Sequence, residues 1–326
     1  MDTVSDLERR AADGDADARF ALAAELLALA DSPDSFERGT ALVEAAAASG
    51  HAEASNMLAT LEAIGAGRQR SWDRAFDWLQ RAAERGSEQA RAQLHLLSRS
   101  EIAGDDWSAL RGAIRIERLL EAPQRSALAE RPRLRAFQGF ASAAECAWIT
   151  ARMGPKLAPA MVWDEASGAG VVDPSRTSHA VELRLAEMDV ATEVVRARIA
   201  AATGLPEAIF EVPQIMHYAV GQEFRPHHDF LDPAAPGHAA DLARRGQRIG
   251  TFLIYLNDDF EGGETEFPNA GIAHRGRCGD ALFFANVVPD GSPDPLSLHA
   301  GRPPTKGEKW IFSQWIRDRV PAPPPG

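Results

Sequence analysis

The chain is poor in cysteine. Only Cys146 and Cys278 occur in 326 residues, so no disulfide framework is available to hold it together. Such sparing use suits a reducing compartment, and the expected location is cytoplasmic. Long apolar runs are missing too: none approaches the ~20 residues that a membrane span needs. The opening stretch MDTVSDLERRAADGD is acidic and has no apolar core, so it does not read as a signal peptide. Basic residues are outnumbered 35 to 47, giving a formal net charge of -12. Phosphate backbones call for a basic face, so nucleic acid is excluded as the default partner. What remains is ordinary globular composition, 45% hydrophobic and 25% charged, long enough for one large domain or two.

The first hundred residues are Ala-rich and periodic. Gly14, Gly50 and Gly86 are 36 apart, and Ala18/Ala54/Ala90 and Leu22/Leu58/Leu94 keep the same offset. Each unit places a glycine at a helix end and small or apolar residues at i, i+4 and i+8 of the next helix. Helices are expected over 18–30, 36–48, 54–64, 72–83 and 89–97. The pattern resembles Sel1-like repeats, relatives of the tetratricopeptide family, and implies an α-solenoid with a face for binding a partner. This gives a repeat domain over 1–98, a connector over 99–131 with a helix from Trp107 to Leu120, and a catalytic region over 132–319. The tail 320–326, VPAPPPG from Val320, reads as disordered.

A strand RLRAF and a helix from Ser142 to Met153, opened by a Ser142/Glu145 capping box, begin the second region. Met188 to Thr203 reads as an amphipathic helix packed on a sheet. From Val212 the chain is strand-rich, with strands near 212–220, 225–230, 248–257, 263–267, 280–287, 295–299 and 308–317. Short strands broken by Gly, Pro and Asp predict a jelly roll or cupin-like double-stranded β-helix with flanking helices, its core over 211–318. The fold class is therefore α+β and multidomain.

Within that region lies YAVGQEFRPHHDF, Tyr218 to Phe230. Side chains alternate faces along a strand, so His227 and Asp229 share one face and His228 points away. They form two thirds of the 2-His-1-carboxylate set that binds non-haem Fe(II) with open positions. His299 is the best candidate for the third ligand, and Lys309 follows ten residues later on a strand-like run. Alternation puts Tyr218 on the opposite face from His217, which stays outside the metal set. Lys309, Ile311, Ser313 and Trp315 share a face by the same rule. Gly262, Gly263 and Gly301 read as turn residues, Asp258 and Glu264 as exposed hairpin charges.

The segments YAVGQEFRPHHD, TFLIYLNDDFEGGETEFP, GDALFF and HAGRPPTKGEKWIFSQW, in this order, resemble the catalytic domain of prolyl 4-hydroxylases among the 2-oxoglutarate- and Fe(II)-dependent dioxygenases. The resemblance spans roughly 132–319. It implies Fe(II) on His227, Asp229 and His299, with 2-oxoglutarate and O2 as cosubstrates and ascorbate as reductant. It also implies that Lys309 holds the distal carboxylate of 2-oxoglutarate, with hydroxyl donors from Tyr218 and Thr251. Arg176, in the triplet Arg176-Thr177-Ser178, and Trp315 are implied on the substrate side. The expected reaction is hydroxylation of a C–H bond, of a prolyl residue in a protein or peptide, coupled to conversion of 2-oxoglutarate to succinate and CO2. Two other readings stand beside it: the same chemistry on a free amino acid or small metabolite, and a repeat-based interaction protein with a non-oxygenase metal-binding cupin. The nucleic-acid demethylases of the superfamily typically use Arg where Lys309 stands here. The HHDF sequence and the insert 231–247 depart from the family pattern, and the insert reads as a lid or specificity loop.

Overall fold

The computed structural model describes residues 4–28, 32–102, 104–164 and 169–321. They form two compact units, 1–121 with 184–198, and 122–183 with 199–326. The tail expected to be disordered lies, beyond residue 321, outside the described residues.

The first unit is helical: α1 (Val4–Ala12), α2 (Ala16–Ala28), α3 (Pro33–Ala48), α4 (Ala52–Ile64), α5 (Trp72–Glu84), α6 (Glu88–Ser98), α7 (Trp107–Ala113) and α8 (Ile116–Leu120). The 36-residue period has a local cause. Gly14, Gly50 and Gly86 follow α1, α3 and α5 with φ of +96°, +92° and +101°, a region that favours glycine. The next residue begins a new helix in each case, its side chain accepting a backbone N–H: Asp15 from Ala18, His51 from Ala54, Ser87 from Ala90. Ala18, Leu22, Ala54, Leu58, Ala90 and Leu94 are all buried. The chain therefore repeats one helix–glycine–helix turn three times. α1 went unread in the sequence, and the helix expected over Trp107–Leu120 is two helices, because Ile114 and Arg115 are extended.

Polar side chains hold part of this unit's interior. Asn56 Nδ2 donates to Gln89 Oε1 and Gln93 Nε2 donates to Asn56 Oδ1, both at 3.0 Å. Gln93 Oε1 then accepts the backbone N–H of Ala191 at 3.2 Å. Arg70 meets the buried Glu193 at 2.6 Å, and Arg198 Nε donates to the Leu119 carbonyl at 2.6 Å. Residues 184–198 thus complete the helical unit. Thr192, Glu193 and Arg198 are buried among the apolar positions.

The second unit is built on antiparallel strands. In chain order these are β1 (Arg125–Ala129), β2 (Leu134–Phe137), β3 (Ala158–Pro159), β4 (Val162–Asp164), β5 (Ala169–Val171), β6 (His179–Glu182), β7 (Gln214–Tyr218) and β8 (Phe224–His227). They continue as β9 (Arg248–Tyr255), β10 (Glu261–Gly262), β11 (Thr265–Phe267), β12 (Ile272–His274), β13 (Ala281–Ala285), β14 (His299–Gly301), β15 (Pro304–Lys306) and β16 (Lys309–Arg317). Helix α9 (Ala143–Met153) carries the expected capping box, Ser142 with Glu145. Helix α10 (Val190–Thr203) follows β6, and a short α11 (Ala239–Arg245) lies in the 231–247 insert. The stretch 99–131 is no connector: α7 and α8 belong to the helical unit, while β1 pairs with β2 in the large sheet.

The large sheet has the order β1-β2-β13-β9-β16-β7-β6-β3, and a smaller one β12-β11-β14-β8. Met216, Tyr218, Leu253, Tyr255, Leu282, Phe284 and Ile311 from the first pack with Phe267 and Phe224 from the second. Two sheets closing on one apolar layer are the jelly-roll arrangement. Long β9 and β16 are buried almost throughout, as central strands covered on both faces should be.

Candidate active site

Register brings the site together. In the small sheet β14 pairs with β8 so that His299 stands opposite His227. In the large sheet β16 pairs with β7 so that Lys309 stands opposite Tyr218, and with β9 so that Trp315 stands opposite Thr251. All six side chains line one cavity between the sheets, with about 410 Å3 of space including its open mouth. Asp229 lines it too, although β8 ends at His227 and the carboxylate comes from the bend beyond rather than from the strand expected to 230.

One donor atom from each of His227, Asp229 and His299 lies within 4.8 Å of the others. Asp229 Oδ1 is 3.6 Å from His227 Nε2, and its Oδ2 is 3.5 Å from His299 Nε2. Each imidazole is turned by a backbone carbonyl two residues upstream: His227 Nδ1 meets Arg225 O at 2.8 Å, His299 Nδ1 meets Ser297 O at 3.0 Å. A carbonyl only accepts, so each Nδ1 carries the proton and each Nε2 keeps a free lone pair. Burial, helped by the neighbouring His227, pushes the pKa of His299 down to about 4 against the pull of Asp229, which keeps the ring neutral at pH 7. Burial works against the charge on Asp229, but the pull of His299 and His227 in their protonated forms, with the Thr251 hydroxyl, outweighs it and holds the carboxyl well below its usual range. Two neutral imidazole nitrogens and one carboxylate are a donor set that fits a divalent transition metal with positions to spare.

The family model described as the 2OG-Fe(II) oxygenase superfamily matches residues 213–317. Probable prolyl 4-hydroxylase 9 of Arabidopsis thaliana is 33% identical over 244 residues, covering 70% of this chain and 83% of its own. Prolyl 4-hydroxylase 1 of the same plant is 34% identical over 203 residues, covering 58% and 70%. The chain belongs to the prolyl 4-hydroxylase family of 2-oxoglutarate- and Fe(II)-dependent oxygenases. Its cofactor is Fe(II), and its cosubstrates are 2-oxoglutarate and O2. Among solved structures, a viral collagen prolyl hydroxylase from Paramecium bursaria Chlorella virus-1, in complex with 2-oxoglutarate, aligns at 27% identity over 56% of this chain and 94% of its own, with a TM-score of 0.42.

The oxygenase's deep cation is Lys309, 1% exposed. Its Nζ lies 5.2 Å from the ring centre of Tyr218 and 6.0 Å from that of Tyr255, and it makes no ion pair among the described residues. Burial pushes its pKa down to about 7, with the charge of Glu264 acting the other way. Glu264 is half-buried, which corrects its reading as an exposed hairpin charge. Gly263 admits the lysine stem: a Cβ there would sit 3.3 Å from Lys309 Cδ and 2.8 Å from the Phe260 ring. Gly301 is likewise no turn residue but part of β14, where a Cβ would meet the Tyr218 hydroxyl at 3.2 Å. A buried cation and a phenol on the wall of one cavity fit the dicarboxylate cosubstrate.

Thr251 is placed differently from expectation. Its hydroxyl donates to Asp229 Oδ2 at 2.6 Å and accepts from Asn286 Nδ2 at 3.0 Å. Its single proton is committed to the carboxylate, so the donor role toward 2-oxoglutarate is corrected to an orienting one. Arg176, implied on the substrate side, lies inside the fold rather than on a surface loop. It is 5% exposed, forms a β-bridge with Phe224, and donates to Met161 O at 3.2 Å and Gln214 Oε1 at 3.1 Å. Its Nε is buried without a partner among the described residues, so the guanidinium keeps one donor to spare. Trp315 remains on the cavity wall, with the Arg248 guanidinium 3.8 Å from its ring centre. His217 faces away from the cavity, bonded to Glu308 at 2.9 Å.

The 231–247 insert is tied at its base. The Gln247 side chain both donates to and accepts from the backbone of Leu231 at 2.7 Å. The buried Arg317 reaches Asp241 Oδ2 at 2.7 Å, the Gly246 carbonyl and Glu211. Sequence reasoning missed Asn286, Phe224 and this arginine–carboxylate cluster. The only signal for Asn286 was a polar residue ending the apolar run ALFFAN.

Proposed function

We propose that the enzyme hydroxylates prolyl residues in a protein or peptide. The observation that carries the reading is the paired register: His299 opposite His227, and the buried Lys309 opposite Tyr218, all lining one cavity. His227, Asp229 and His299 would hold Fe(II). Bound there, Fe(II) with 2-oxoglutarate and O2 supplies the oxidising chemistry, which converts 2-oxoglutarate to succinate and CO2 and places one oxygen atom of O2 in the substrate C–H bond. Lys309, protonated, would pair with the distal carboxylate, a charge-assisted bond strengthened by the dry surroundings of Met216, Leu253 and Ile311. Trp315, its ring braced by Arg248, offers a flat apolar wall on which a pyrrolidine ring can lie. Ascorbate, the reductant typical of prolyl 4-hydroxylases, would restore ferrous iron after uncoupled turnover.

The 36-residue helix pairs support the finer reading of Sel1-like repeats, and the relatives named as prolyl 4-hydroxylases support a protein or peptide substrate. If the repeats recruit that substrate, they do so with faces other than the Asn56–Gln93 ladder, which binds Ala191 of this chain. The test has two stages. Anaerobic addition of Fe(II) and 2-oxoglutarate to metal-free protein should give a visible charge-transfer band that His227→Ala abolishes. Proline-rich peptides should then gain one oxygen atom, recovered as hydroxyproline. Succinate formation stimulated by a free amino acid and by no peptide would overturn the substrate assignment.

A further inference from the structure

We infer that Asn286 and Thr251 form a positioning relay that fixes which oxygen of Asp229 is offered to the metal; the inference rests on the metal-binding reading above. The carboxylate is 4% exposed, and its Oδ2 receives the Thr251 hydroxyl at 2.6 Å. A carboxylate accepts and cannot donate, so the only hydroxyl proton of Thr251 points at Asp229. The hydroxyl oxygen must then accept from its other neighbour, Asn286 Nδ2, at 3.0 Å. This fixes the amide's orientation: Nδ2 toward Thr251, Oδ1 away from it. Oδ1 is buried and has no partner among the described residues. A buried acceptor without a donor carries a desolvation penalty. Turning the amide over would set Oδ1 against a hydroxyl whose proton is already committed, so the penalty is the cost of holding the relay in register.

The backbone keeps Asn286 at this station. Its N–H donates to Ile249 O and its carbonyl accepts from Asp294 N, both at 3.0 Å. The residue is fully buried just past the end of β13, where Phe284 stands opposite Thr251. Thr251 therefore cannot follow Asp229 if the carboxylate rotates, and the carboxylate is held in one plane. With Oδ2 held by the hydroxyl, Oδ1 is the better donor. A carboxylate that binds through one oxygen leaves free the coordination position its second oxygen would occupy. An oxygenase that must accommodate both 2-oxoglutarate and O2 needs that position. Neither Thr251 nor Asn286 touches the metal in this account; both act through Asp229.

The test uses Co(II) as probe, added anaerobically to the metal-free protein, with binding followed by calorimetry and by the visible d–d spectrum. Thr251→Val keeps the shape and removes the hydroxyl. It should weaken Co(II) binding about tenfold, the lower end for loss of such an outer partner, alter the d–d band, and weaken 2-oxoglutarate binding to the Co(II) form. Thr251→Ser should restore all three. Asn286→Leu should shift the same readouts in the same direction, and on the Thr251→Val background it should add nothing, since its effect passes through the hydroxyl. Unchanged Co(II) affinity and spectrum in folded Thr251→Val and Asn286→Leu would overturn the relay. Additive losses in the double variant would do the same. Failure of the unaltered protein to bind Co(II), with His227→Ala indistinguishable from it, would overturn the metal-binding reading itself.

Discussion

The ring of Phe224 lies on the imidazole of His227, 3.5 Å between centres and 16° from parallel. The Arg176 guanidinium in turn sits 4.9 Å from the Phe224 ring centre. A residue implied at the substrate thus supports a metal-binding imidazole through an aromatic ring. Arg176→Met should lower Co(II) affinity several-fold while leaving the KM for a peptide substrate unchanged, with metal titration and steady-state kinetics as the paired measurements. A raised peptide KM at unaltered metal affinity would return Arg176 to the substrate side.

Lys309 sets a pH dependence. Its pKa is about 7 in the folded enzyme against 10.5 for an ordinary lysine. The folded state therefore binds fewer protons than the unfolded chain between these values, and the stability of the free enzyme should rise with pH across that window. Below pH 7 the buried ammonium handicaps the fold in full. Cosubstrate binding runs the other way, because only the ammonium pairs with a carboxylate. Affinity for 2-oxoglutarate should fall above pH 7, by roughly tenfold per unit once the amine is neutral. Calorimetric titration at several pH values would show it, and Lys309→Met should abolish both dependences.

The same variant carries a second expectation at neutral pH. Replacing a buried, unpaired amine by an apolar side chain of similar size removes a desolvation cost. Lys309→Met should therefore melt higher, by about 2–4 °C for each kcal/mol gained in a domain of this size, while losing 2-oxoglutarate binding. A lower melting temperature would show that the amine already has a stabilising partner in the free enzyme.

Arg317 is fully buried and binds Glu211, Asp241 and the Gly246 carbonyl. Arg317→Met would take one partner from each of two carboxylates, leaving Glu211 with Arg248 at 2.6 Å and Asp241 with Arg245 at 2.5 Å. The expected loss is about 3 kcal/mol in urea unfolding, the lower end for breaking a buried pair. Limited proteolysis should then cut within 239–245 faster than in the unaltered enzyme.

Both cysteines should be inert in the folded protein. Burial raises the thiol pKa of Cys146 and, less strongly, that of Cys278, so little thiolate forms at either. Intact-mass measurement after iodoacetamide at pH 8 should show no adduct in native protein and two after denaturation. Rapid labelling of either residue in the native state contradicts this.

What could be read in the sequence was what one residue type in one place already says. His227, Asp229, His299 and Lys309 announce their chemistry by identity and spacing, and alternation alone sorted His217 from Tyr218. The 36-residue period was legible because a glycine with positive φ and a capping side chain recur at fixed offsets. The burial of Arg176 and the orienting place of Thr251 could not be read for a common reason: both are set by partners distant in sequence, Phe224 and Gln214 for one, Asp229 and Asn286 for the other. Helix α10 was legible from its apolar period, but the burial of its Glu193 and Arg198, held by Arg70 and the Leu119 carbonyl, was not, because periodicity cannot see a paired charge.

Completion of the helical unit by residues 184–198 has a consequence for the order of events during synthesis. A ribosome making this chain releases α1 to α8 long before the segment that fills their interior. Until residue 198 has emerged, Gln93, Arg70 and the Leu119 carbonyl must wait, while β1 to β6 are already being made. The repeats therefore wait for part of the oxygenase to be made, and complete their fold only in the interval between residue 198 and the strands β7 to β16 still to come. A gene cut after residue 121 would divide one folding unit rather than separate two.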